Sequence, residues 1–285
     1  MLTLCLRNLA LYCKDKTTVL LSFLAEFIIV GLYVLFIRDQ LLESFSQLPD
    51  AALLMDVWMI AGVLGIAAVT TTMGACGVMV EDKARKIDRD FRVSPLRPGT
   101  LLGGYWSAAV VIGLVLSFLL LLLAEVYVSH RYGVRLGAGH MAAVYGILLL
   151  VSVSGASQVL LLVSFLKTGS ALAGCCTIFG SLIGFLTGIY LPMGTLPESV
   201  RYLVTCFPIS HGVVLLRRTL LEPLLSGSLG PQGGAGAPSF EEYMGVLFTW
   251  RGETLSCRAS VVVLLAAGAV CLVLTAFRFA RPRRQ

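Results

Sequence analysis

Three acids stand within or beside long apolar runs: Glu26, Asp56 and Glu125. On insertion scales an acid at mid-membrane costs roughly 2.5–3.5 kcal/mol, so each points to solute contact, proton transfer or a buried hydrogen bond. Glu26 falls near the middle of its run and suits a polar cavity, whereas Asp56 and Glu125 lie toward the ends of theirs, where water can reach. The three histidines, His130, His140 and His211, form no His-Glu-x-x-His pair, which leaves a zinc protease unsupported. None of Lys14, Lys16, Lys83, Lys86 and Lys167 follows a glycine, so the Gly-x4-Gly-Lys-Ser/Thr phosphate loop is absent and the chain has no ATPase core of its own. Glu241-Glu242 has Val246 where the arginine of some intramembrane proteases would stand. Ser154-Gly155 lacks the preceding glycine of a serine nucleophile turn. Small residues there serve close helix approach. The expected catalytic residues, metal ligands and resident cofactors are therefore none.

The other chemistry-bearing segment is a charged island, residues 81–99, set between two apolar runs. On a helix Ile87 and Phe91 share a face, with Lys83, Arg85, Lys86, Asp88, Arg89, Asp90 and Arg92 around them. Pro95 disfavours a helical Ser94 and ends the segment. An exposed Phe91 rimmed by both signs of charge reads as a docking knob for a soluble partner, since an orientation signal alone needs no acids.

The elements that must position these groups are membrane helices. A chain of 285 residues that is 57% hydrophobic and 13% charged cannot hide its apolar surface in one soluble core. Six windows are long enough to cross a bilayer: about 17–37, 53–80, 101–128, 141–166, 170–191 and 257–277. The fourth and fifth are joined only by Lys167-Thr-Gly169. The first exceeds a signal-peptide core and no small-residue cleavage site follows Ile37, so it reads as a retained span. Residues 1–16 place leucines on one side and Arg7-Asn8 on the other, as an interfacial helix does.

With the N-terminus inside, the cytoplasmic side holds Arg7, Lys14, Lys16, Lys83, Arg85, Lys86, Arg89, Arg92, Arg97, Lys167, Arg278, Arg281, Arg283 and Arg284. The short outer loops hold Arg38, Arg131 and Arg135. This asymmetry puts both termini and the island in the cytosol of a multi-pass cell-membrane protein. The net charge of +6 then suits anionic lipid and requires no nucleic acid. The segment 192–256 is too long for a connection. Its apolar first half, in which Pro208 and Arg217-Arg218 interrupt any span, reads as two short outer re-entrant helices, and 226–238 as a Gly-rich loop. No internal repeat is visible. The eight cysteines read as free thiols, with Cys206 and Cys257 the one pair near the outer face.

The pattern resembles the permease subunit of the ABC type-2 transporter family over nearly the whole chain. The resemblance rests on Arg7-Asn-Leu-Ala-Leu-Tyr-Cys-Lys-Asp-Lys16 leading into span one, on the island from Glu81 to Pro95, and on Ile189-Tyr-Leu-Pro-Met-Gly-Thr-Leu-Pro-Glu-Ser-Val200 followed by Phe207-Pro208. It implies an all-α membrane domain over 1–285 that pairs with a second permease subunit. It also implies a coupling helix within Arg85–Pro95 seated on a separate ABC ATPase that carries ATP and Mg. Pro192, Pro197, Pro208 and His211 would then belong to an outer gate. The short amphipathic start resembles the drug and antibiotic exporter branch. A proton-coupled secondary exporter using the three acids, and a noncatalytic scaffold recruiting a partner through the island, remain as alternatives.

Overall fold

A computed structural model of the chain describes residues 1–46, 48, 50–228, 237–250 and 253–280. The central part of the Gly-rich insert and Arg281 to Gln285 lie outside the described residues, as do the side chains of Arg89 and Arg92.

The chain starts as α1 (Leu2–Lys14), which Asp15 both ends and redirects. The Asp15 carboxylate accepts from the backbone N–H of Thr18 at 3.1 Å and from its hydroxyl at 2.6 Å, capping α2 (Lys16–Leu32). These bonds hold Asp15 below the usual carboxylate range. Cys5, Asn8 and Tyr12 form the buried stripe of α1, while Leu2, Leu6 and Leu11 are exposed. The leucine side thus faces outward and the Arg7-Asn8 side faces the protein.

The first span does not stop at Ile37. A π-helical turn, Tyr33–Ile37, brings Tyr33 into the core, and α3 (Arg38–Ser44) prolongs the helix. Arg38 can extend the span because its charge is met by Asp56 of the next helix, at 2.9 Å.

That next helix, α4 (Ala51–Ala84), is the hub of the fold. Its apolar residues run all round, and 89% of its most apolar window is buried by α6 (Pro98–Tyr132), α7 (Ala138–Ser164), α10 (Pro208–Ser228) and others. Close approach depends on small residues. A Cβ at Gly113 of α6 would come within 2.7 Å of Thr72 Cγ2 and 3.0 Å of the Ala68 carbonyl, so backbone meets backbone there. Between α4 and α6 lies the short α5 (Ile87–Val93).

α8 (Gly169–Leu186) and α12 (Cys257–Ala280) complete six helices long and apolar enough to span a membrane. The outward faces of α2, α8 and α12 are largely exposed. After α8, α9 (Glu198–Cys206) and α10 form a pair bent by 92° at Phe207. Each proline expected at the outer gate sits at a start: Pro192 before a 3-10 turn (Met193–Thr195), Pro197 before α9, Pro208 as the first residue of α10. α10 is longer and deeper than the expected surface dip. It packs with Val213 against Gly65 of α4 and with Gly212 against Val151 of α7. α11 (Ala237–Tyr243) and a two-residue hairpin, β1 (Thr249–Trp250) with β2 (Glu253–Thr254), cap this end of the bundle.

Candidate functional site

At the N-terminal end of the bundle, three elements meet on one carboxylate. Asp82, in the last turn of α4 and 3% exposed, accepts from Arg7 Nη1 and Nη2 at 2.8 and 2.7 Å and from the Tyr105 hydroxyl of α6 at 2.5 Å. Two parallel N–H donors from one guanidinium fix geometry as well as charge. These bonds raise the Arg7 pKa above its ordinary value, against partial burial that lowers it. Arg7 also donates to Asn8 Oδ1 at 3.0 Å, and Asn8 Nδ2 donates to the Gly104 carbonyl at 3.2 Å. The Arg7 guanidinium stands 5.3 Å from the centre of the Phe91 ring, so α5 joins the same cluster.

The island is accordingly less free than expected. Phe91 and Ile87 are half-buried rather than exposed, and Val93, at 87% exposure, is the prominent apolar side chain. Lys83, expected on the rim, donates to the carbonyls of Val163, Ser164 and Leu166, closing the C-terminus of α7. Arg85, Lys86 and Asp90 are exposed, and Arg85 stands 3.9 Å from Glu81, one turn back. Lys86 takes φ 62°, the left-handed conformation that breaks α4 from α5. Ser94 turns its hydroxyl back onto the Phe91 carbonyl at 2.7 Å, just before Pro95.

The three acids have unlike surroundings. Asp56, 4% exposed, is saturated by Arg38 (2.9 Å), Tyr33 (3.4 Å), Tyr127 (2.9 Å) and Tyr132 (2.6 Å), so the access to water read from its position is closed by three hydroxyls and a guanidinium. Glu125 accepts from the Leu136 backbone N–H at 2.9 Å and fastens the loop after α6; its Oε2 is buried without a partner, and the residue lines an apolar cleft. Glu26, 2% exposed, accepts from the Thr70 hydroxyl at 2.9 Å with one oxygen, and its Oε2 has no partner.

At the opposite end, His211 is a packing residue. Its Nε2 must carry the proton that it gives to the Thr205 carbonyl at 2.9 Å, which leaves Nδ1 to accept from Ser260 at 3.1 Å. Arg217 escaped the sequence reading, where it only interrupted a span. It is fully buried, donates to the carbonyls of Gly188 (2.8 Å), Met244 and Gly245 (3.4 Å each), and lies 4.3 Å over the Trp58 ring. Trp58 in turn donates to the Met244 carbonyl at 2.7 Å. One cation thereby ties α4, α10, the turn after α8 and the turn after α11. Arg7, Asp82 and Tyr105 were missed as a set because 75 positions separate the first two. The available signal was the acidic pair Glu81-Asp82 at the end of a long apolar run.

Six apolar helices gathered on α4, with a short charged helix between the second and third, define an all-α, multi-pass membrane protein. The family model for the ABC-2 type transporter matches residues 1–221, and the chain belongs to that family. It is therefore a membrane component of a transporter and not itself a catalyst. No curated protein matches the chain.

Proposed function

We propose that this chain is the permease subunit of an ATP-binding cassette exporter, moving a drug, antibiotic, lipid or similar amphipathic solute across the cell membrane. ATP and Mg belong to a separate ATPase seated on α5, a second permease subunit completes the pathway, and both termini are cytoplasmic. The observation that carries this reading is the contact chain from Phe91 through Arg7 to Asp82 and Tyr105. A push on α5 is felt at once by α1, α4 and α6, whose rearrangement opens one face of a pathway and closes the other. Solute moves because its affinity differs between those states. The proton-coupled alternative is weakened by Asp56, whose partners leave it no room to act as a carrier.

The test is the complex purified with its ATPase and reconstituted. Phe91→Ala and Val93→Asp each remove part of the α5 surface, and solute-stimulated ATPase and flux fall together by about tenfold or more, as for a central interface anchor. Unchanged coupling in both variants, with normal membrane levels, sinks the reading. Flux from the purified chain alone, driven by a proton gradient, sinks it too.

A further inference from the structure

Glu26 and Asp56 are both buried carboxylates, yet the fold treats them oppositely. Asp56 has a donor for every direction it faces, while Glu26 has one hydroxyl for two oxygens. The ion pairs among the described residues join Arg7 to Asp82, Arg38 to Asp56 and Arg85 to Glu81, and none reaches Glu26. Thr70 holds Oε1 at 2.9 Å and so sets the direction of the covered, unpartnered Oε2. An ionised carboxylate so placed is expensive, so Glu26 is either held neutral by a proton or completed by a cation from outside the chain.

What could complete it is limited by its surroundings. Tyr190 is near enough for its phenol to feel the charge of Glu26, and its ring stands edge-on to Phe185 at 5.0 Å, so an aromatic pair lies on the same side of the bundle as the carboxylate. Carboxylate with aromatics is the chemistry that recognises an organic cation. Glu26 is ten residues into α2, roughly 15 Å from its start. The neighbouring Leu20, Leu24, Phe27 and Ile28 face outward, and Phe185 is exposed on α8. The buried carboxylate therefore lies behind exposed apolar faces of α2 and α8.

We propose that Glu26 is the recognition group for a lipophilic monocation, which enters sideways from the membrane when α2 parts from Tyr190 and places its positive centre on Oε2. The inference rests on the transporter reading and names its solute class. Thr70 is a positioning residue, since it keeps the carboxylate aimed while the cover is removed.

The test needs no ATPase. The full chain in nanodiscs is titrated with tetraphenylphosphonium and with tetraphenylborate, an anion of nearly equal size and shape, and binding to empty nanodiscs is subtracted. The phosphonium binds saturably and the borate does not. Glu26→Gln weakens the phosphonium at least tenfold, Glu26→Asp less, and Thr70→Val several-fold, with thermal midpoints near wild type. Equal binding of both ions, no saturable phosphonium binding, or an unchanged affinity in Glu26→Gln overturns the proposal. Loss of binding in Glu26→Gln in a chain that never exports in its complex supports the site and rejects the exporter. ATP-driven export of the phosphonium unaffected by Glu26→Gln does the reverse.

Discussion

Arg7 and Asp82 illustrate how one residue pair organises an end of this protein. Asp82 is 3% exposed and receives three donors, so removing Arg7 leaves a buried carboxylate with only the Tyr105 hydroxyl. Breaking a fully buried pair on one side costs roughly 3–5 kcal/mol. Arg7 is 31% exposed, which lets water replace part of the loss and brings Arg7→Ala to about 2 kcal/mol. The double variant Arg7→Ala with Asp82→Asn removes the stranded charge and should be more stable than Arg7→Ala alone. Thermal midpoints in nanodiscs decide this, and a double variant at the sum of the two single losses refutes the pairing. At this scale the sequence marks Glu26, Asp56 and Glu125 as unusual acids but passes over the buried Asp82, and it does not show how each is satisfied. Asp56 and Glu26 look alike in an apolar run, and only the folded neighbours distinguish a saturated carboxylate from an incomplete one. The partners of Asp56 come from positions 33, 38, 127 and 132, which no local spacing links.

The helices were far more legible than their contacts, because a 20-residue apolar run has few other places to go. All six expected spans correspond to helices, and the break at Pro208 and the turn at Lys167 fall where expected. A charge is a poor marker of a helix end in this chain: Arg38 and Arg217 both stay inside helices because Asp56 in one case, and backbone carbonyls with Trp58 in the other, receive them. Glycines carry the packing of these helices unequally. Gly113 faces the α4 backbone, so Gly113→Ala must separate α4 from α6 at a cost of about 1–3 kcal/mol. Gly146 on α7 has open space where a Cβ would go, and Gly146→Ala gains up to about 1 kcal/mol from helix propensity. Opposite shifts in thermal midpoint are expected. A neutral Gly113→Ala means that the α4–α6 approach is looser than described.

For the whole molecule, the proposed function turns on which end of the bundle would meet an ATPase. The N-terminal end carries α1, α5, the α7–α8 turn and the C-terminus of α12. The other end carries α3, α9, α11 and the hairpin. Lys and Arg crowd the first end, and short loops rich in them stay in the cytosol because moving each across a membrane opposes the potential and loses anionic lipid. The proposed seat on α5 calls for the same orientation: an exposed Val93 on a helix tied to Arg7 would serve a cytosolic motor only from that side. Orientation can be read directly by labelling. In a background with the eight cysteines replaced, Val93→Cys and His140→Cys place one exposed thiol at each end of the bundle. A membrane-impermeant maleimide should modify position 140 in intact cells and position 93 only in inverted vesicles. Added ATPase should protect position 93 alone, since the partner covers α5 and leaves the far end open. Labelling of position 93 from outside would remove the motor's seat, and with it the exporter reading, while leaving the six-helix architecture as it is.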